Sequence, residues 1–157
     1  MNIEQLGLIG IFLGGAIPWI EAIAVIPSGI LLGLDPIWVV IAASVGNILT
    51  IFLFAYSGSQ IRSWLLKRRE ARGKLGESKR FARAQEAFNK WGVFGMAFLG
   101  PILIGTQFAA AISVAAGVKP LKTSLIISTG MVVWAGFLAV VMVSIGADQF
   151  LEIRDGN

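Results

Sequence analysis

"PWIEAIAVIPSG", residues 18–29, decides how the chain is read. It sets a carboxylate, Glu21, between Pro18 and Pro27 in a stretch that is otherwise almost wholly apolar. Proline lacks an N–H and locks φ, so two of them argue against one unbroken helix. A carboxylate at membrane depth is costly and by default faces a protein-lined or watery cavity. The stretch is therefore either a kinked span or a turn and a returning limb; in the second case Pro18 lies in the turn and Pro27-Ser28-Gly29 makes a bend beyond it. Ser28 is expected either to line a cavity or to bond the backbone within that bend.

The rest of the chain places this stretch in a membrane. Of 157 residues, 56% are hydrophobic and 14% charged, with a mean hydropathy of +0.79. A soluble domain carries about a quarter charged residues. Apolar stretches at 6–34, 37–56, 91–118 and 125–145 predict an all-α integral membrane protein. Glu4 stands where a secretory leader would carry positive charge. With no cysteine or histidine, thiol chemistry, imidazole or thiolate metal sites and a histidine-based triad are excluded. One membrane carboxylate without a second acid, base or metal set does not make a catalytic centre. No enzyme activity, metal or cofactor is expected.

Charge is concentrated in one loop. Residues 62–90 hold ten Lys/Arg against Glu70, Glu77 and Glu86, a net +7 in a chain whose total is +4. Such a loop belongs on the cytoplasmic side, here of a bacterial-type inner membrane, against anionic headgroups. The charge is not spread like a nucleic-acid footprint, and no nucleic-acid partner is expected. In "ESKRFARAQEAFNKW" (77–91), Phe81, Ala84, Phe88 and Trp91 share one helical face, with Lys79, Arg83, Glu86 and Lys90 opposite. This predicts an amphipathic helix in the interface, separated by Gly73 and Gly76 from the membrane helix before it.

The sequence also repeats. "GLDPIWVVIAASVG" (33–46) and "GVKPLKTSLIISTG" (117–130) share G-x-x-P-x9-G at an offset of 84. "FLGG" (12–15) pairs with "FLGP" (98–101), and Glu21 with Gln107, at an offset of 86. Each copy holds a Gly/Pro-interrupted segment followed by a long helix, one from Pro36 to about Ser59 and one from Pro120 to about Ala147. The interrupted segments are either kinked full spans or re-entrant hairpins. Charge favours hairpins: if each copy crosses once, the copies are inverted. Asp35 and the acidic tail 148–157 then lie outside, and Lys119 and Lys122 inside with the basic loop. The expectation is one membrane domain, 1–157: repeat 1 at 5–60, basic loop and interface helix at 61–91, repeat 2 at 92–147, polar tail at 148–157. A homodimer is expected, because two hairpins and two long helices leave hairpin surface to cover.

At these residues the chain resembles the putative small multidrug export proteins, a family distantly related to the DedA/VTT-domain membrane proteins. The first signature corresponds to Glu21, Ile26, Pro27, Ile30 and Gly46-Asn47. Ile23 stands where that family often has arginine. The second corresponds to Pro101 with Gly105-Thr106-Gln107, where two prolines have become isoleucine and Gln107 replaces a glycine. The resemblance implies inward-facing re-entrant hairpins and a transport role. The arginines of the DedA type have no counterpart, since nothing basic lies between Trp91 and Val118.

Candidate residues follow. Glu21 is expected to take up and release a proton or pair with a cation, or otherwise to cap a half-helix or sit near the outer interface as an ordinary solvated acid. Gln107 is its silent counterpart in the second repeat, which suits one coupling site between pseudo-symmetric halves. Gly14, Gly15 and Pro18, and Gly100, Pro101, Gly105 and Thr106, are the expected hairpin tips, with Thr106 as a cap for the returning limb. Asn47 and Thr50 on the first long helix, and Ser128 and Thr129 on the second, are expected to face the hairpins or bond neighbouring helices. Gly46 and Gly130 are expected to allow close packing. Trp19, Trp38, Trp64, Trp91 and Trp134 read mostly as interfacial anchors, with Trp19, beside Glu21, the candidate for cation–π contact with a lipophilic cation. The expected function is transport of a small amphiphile, proton- or cation-coupled through Glu21, with membrane lipids as surroundings. The alternatives are a lipid or polyprenyl-phosphate flippase or scramblase, and a non-transporting membrane scaffold.

Overall fold

A computed structural model of the chain describes residues 3–18, 20–58, 60, 63, 64, 67, 68, 71 and 79–146, without the side chains of 80, 81 and 84. Trp19, Ser59, Gly73, Gly76, the 148–157 tail and much of the basic loop lie outside the described residues. Among the described residues the chain is helical, with no strand. In order come α1 (Ile3–Ala16), α2 (Glu21–Leu31), α3 (Pro36–Tyr56), α4 (Lys79–Leu103), α5 (Thr106–Ala115) and α6 (Pro120–Ser144).

α3 and α6 both begin on proline, whose missing N–H is an orphan at a helix start anyway. Asp35 caps α3: its Oδ1 accepts from the N–H of Ile37 (2.9 Å) and of Trp38 (3.2 Å). Their 21 and 25 residues rise about 32 and 38 Å, enough for a hydrocarbon core of about 30 Å. Only 33% and 28% of their most apolar windows are buried. Ile41, Val45, Leu49 and Leu53 on α3, and Leu125, Val133, Phe137 and Val140 on α6, stay exposed. The core helix of a soluble protein would hide such side chains; these need an apolar solvent.

The interrupted segments are helical hairpins. α1 packs on α2 and α4 on α5. Gly14 faces Val25, and Gly29 faces Ile11, so α1 and α2 run antiparallel. The first segment is therefore not one kinked helix. The 14 residues of α1, 11 of α2 and 10 of α5 rise about 21, 17 and 15 Å, each short of a full crossing. Gly92 (φ 62°, ψ −162°) breaks α4, separating the amphipathic stretch 79–91 from an arm of similar length, 93–103.

The chain divides into two compact units, one of residues 1–48 with 131–157 and one of 49–130. Each unit holds one hairpin, the first part of the long helix that follows it and the last part of the other long helix. The divisions, after Ile48 and after Gly130, agree within two residues with the repeat offset of 84. Matched glycines make similar contacts inside each unit, one residue apart in the repeat register. A methyl group at Gly46 would strike the Phe12 carbonyl oxygen, and one at Gly130 would lie 2.6 Å from the Ala97 carbonyl oxygen. Backbones approach this closely only where a side chain is absent.

Candidate functional site

In the first unit, a turn that holds Ile17, Pro18 and Ile20 hands over to α2 at Glu21. The Ile17 N–H donates to the Leu13 carbonyl (3.1 Å) and the Ile20 N–H to the Ile17 carbonyl (3.3 Å). Gly14 and Gly15 sit in the last turn of α1 rather than at the tip; Pro18 is in the turn. Gly14 serves the contact with Val25, and Gly15 packs on the backbone of Ala43. The left-handed backbone at this turn falls on Glu21 instead, whose φ is 54°. This left-handed conformation costs a non-glycine residue roughly 1–3 kcal/mol and, where it persists, marks candidate functional positions. Glu21 is also 4% exposed, whereas Glu4, Asp35 and Glu86 are exposed. It is the buried acid of the described residues.

The first unit also buries Ala22, Val25, Ile26 and Ile30 on the same helix, and Asn47 and Ser44 on α3. No lysine or arginine occurs in 1–48 or 131–146. Within those residues, the groups suited to stabilise a carboxylate charge are hydrogen-bond donors. Pro27 leaves α2 continuous. Ser28 is exposed and donates to the Ala24 carbonyl (2.9 Å), so its hydroxyl bonds the backbone within the limb.

In the second unit, the N–H groups of Ile104 and Gly105 both donate to the Gly100 carbonyl (3.0 and 2.8 Å). Gly105, with φ 99° and ψ 150°, occupies a region essentially reserved for glycine and holds the cap position of α5. Thr106 is the first helical residue and not the cap; its Oγ1 donates to Gln107 Oε1 (3.2 Å). Gly100 and Pro101 lie in the last turn of α4, with Gly100 against the Ala109 methyl. Gln107 is fully buried, and its Nε2 donates to Thr50 Oγ1 on α3 (3.2 Å). Beside this bond, Phe54 and Phe108 meet edge to face at 5.3 Å.

α6 also carries a buried hydroxyl row, Thr123, Ser124 and Ser128. Ser124 donates its hydroxyl to the Pro120 carbonyl (2.9 Å), while the hydroxyls of Thr123 and Ser128 have no hydrogen-bond partner among the described residues. Of these, Ser128 was expected from the sequence; Thr123 and Ser124 were not, although their spacing along the helix was the available signal. Thr129 points outward and donates to the Leu125 carbonyl (2.8 Å). Trp38, Trp64 and Trp91 are exposed. Arg68 lies 5.2 Å over the Trp64 ring, and Lys90 5.2 Å over that of Trp91. Trp134 is half-buried and meets Phe137 edge to face at 5.8 Å.

No curated protein and no solved structure matches the chain. One family model does, beginning at Glu21, taking in both returning limbs and ending beyond Trp134. That model, described as "Putative small multi-drug export protein", matches residues 21–137, about three quarters of the chain, and the chain belongs to this family of membrane proteins.

Proposed function

We propose that the protein transports a small amphiphile across a bacterial-type inner membrane, coupled to a proton or cation through Glu21. The observation that carries this is Glu21 itself, an acid with 4% exposure and a left-handed φ at the start of a returning limb. A group so placed is costly both electrostatically and conformationally, and a function explains its retention. The short hairpin arms support a re-entrant arrangement, since irregular backbone at membrane depth persists where protein or a cavity covers it. The two copies are then inverted, with the basic loop and Lys119 and Lys122 inside and Asp35 outside. The family name supports export as the class of activity.

Gln107, matched to Glu21 by the repeat, is neutral and engaged with Thr50. One titratable group therefore serves two pseudo-symmetric halves. The test is substrate-dependent proton movement in proteoliposomes, screened over small amphiphiles of both charge signs. Uptake with proton movement supports the reading. Movement of headgroup-labelled lipid without protons would transfer support to a flippase or scramblase. Silence with every substrate, together with loss of function on deleting 72–90, would favour a scaffold.

A further inference from the structure

We infer that Trp134 donates its indole N–H to the Glu21 carboxylate, as the first unit's counterpart of the Gln107–Thr50 hydrogen bond. The repeat carries Glu21 onto Gln107 at an offset of 86 and Thr50 onto Trp134 at an offset of 84. Thr50 lies in the last part of α3, within the same unit as Gln107. Trp134 lies in the last part of α6, within the same unit as Glu21. Gly46 meets the Phe12 backbone and Gly130 the Ala97 backbone, one residue apart in the repeat register, so each unit packs the arm of its hairpin on the matched glycine of a long helix.

Donor chemistry agrees with the pairing. In the second unit Gln107 is the donor and the Thr50 hydroxyl the acceptor. An ionised carboxylate only accepts, and an indole N–H only donates. Replacing Gln by Glu and Thr by Trp therefore reverses the direction of the bond without abolishing it. The half-buried state of Trp134 suits an indole whose ring packs on Phe137 while its N–H serves a neighbour.

The consequence is a positioning role, which rests on the reading of Glu21 as the coupling group. A hydrogen bond to a carboxylate is charge-assisted and weakens when the acid takes up a proton. Trp134 then holds the carboxylate in one orientation and slackens its hold on protonation. The other charged side chains that α1, α2 and the adjoining parts of α3 and α6 bring to this unit are Glu4 and Asp35, both exposed near helix starts. Neither is buried.

The test is NMR of the full chain with 15N-labelled tryptophan in nanodiscs. The Trp134 indole resonance is assigned as the one lost in Trp134→Phe. The bond predicts an upfield move of that indole proton as pH falls, and loss of this titration in Glu21→Gln. It also predicts an upfield position at all pH values in Glu21→Leu, which has no acceptor. A resonance that ignores pH, or that titrates equally in Glu21→Gln, overturns the inference. Flux measured on the same variants keeps the two ideas apart. A titrating indole with coupled flux intact in Glu21→Gln would sink the coupling role and leave the bond. A silent indole with flux lost would do the reverse.

Discussion

Gln107 donates its side-chain amide to the Thr50 hydroxyl across 3.2 Å, tying the returning limb of the second hairpin to the last part of α3. Both residues sit within the second unit, and the repeat relates them to Glu21 and Trp134 of the first. Breaking the bond should cost stability modestly, because interhelical hydrogen bonds in membranes average about 0.6 kcal/mol and reach about 1.7. A double-mutant cycle of Thr50→Ala and Gln107→Leu, read by unfolding in detergent, should give a coupling energy in that range. Additive losses would show that the bond contributes nothing.

The matched glycines make a sharper stability prediction. Gly46→Ala and Gly130→Ala drive a methyl group against the Phe12 and Ala97 carbonyl oxygens. Overpacking of this kind costs about 1–3 kcal/mol. Gly10→Ala and Gly136→Ala, where a methyl group meets nothing within 4 Å, should leave stability unchanged or raise it by up to about 1 kcal/mol. Thermal unfolding of the four variants separates the pairs.

Backbone strain at the limb starts is also testable. Glu21 has φ 54°, which glycine adopts freely. Glu21→Gly should therefore be more stable than Glu21→Ala by roughly 1 kcal/mol, while neither variant supports coupled flux. Gly105→Ala, at φ 99° and ψ 150°, should be destabilised by about 1–3 kcal/mol. Equal stability of the two Glu21 variants would remove strain from the account.

The proposed inverted arrangement predicts opposite sidedness for the two interhelical loops. Because the chain has no cysteine, single cysteines at Asp35 and Lys119 can be probed in intact cells without background. Asp35→Cys should react with an impermeant maleimide from outside, and Lys119→Cys only after permeabilisation. Labelling of both from the same side would favour parallel copies.

Much of this architecture was legible because proline and charge act locally. Pro36 and Pro120 mark the starts of the long helices, Pro18 lies in the first turn, and Gly92 ends the amphipathic stretch. The repeat register pointed to Gly46 and Gly130. What sequence could not resolve is how each glycine is used. Gly14 and Gly100 looked like turn residues but serve arm-to-arm contact, while Glu21 and Gly105 take the unusual backbone angles. Side-chain partners were equally hidden. Thr106 gives its hydroxyl to Gln107 instead of capping α5, and Asp35, read for its charge alone, caps α3. Such choices depend on which neighbour lies within about 3 Å, and helical periodicity does not encode that.

The most direct test of the central claim compares Glu21→Gln with wild type in proteoliposomes carrying a pH-sensitive dye, with Thr50→Ala as a variant outside the coupling group. Wild type and Thr50→Ala should acidify or alkalinise the lumen when substrate is added, and Glu21→Gln should lose that response while remaining folded by its melting profile. Substrate-driven proton movement that persists undiminished in folded Glu21→Gln would contradict the account.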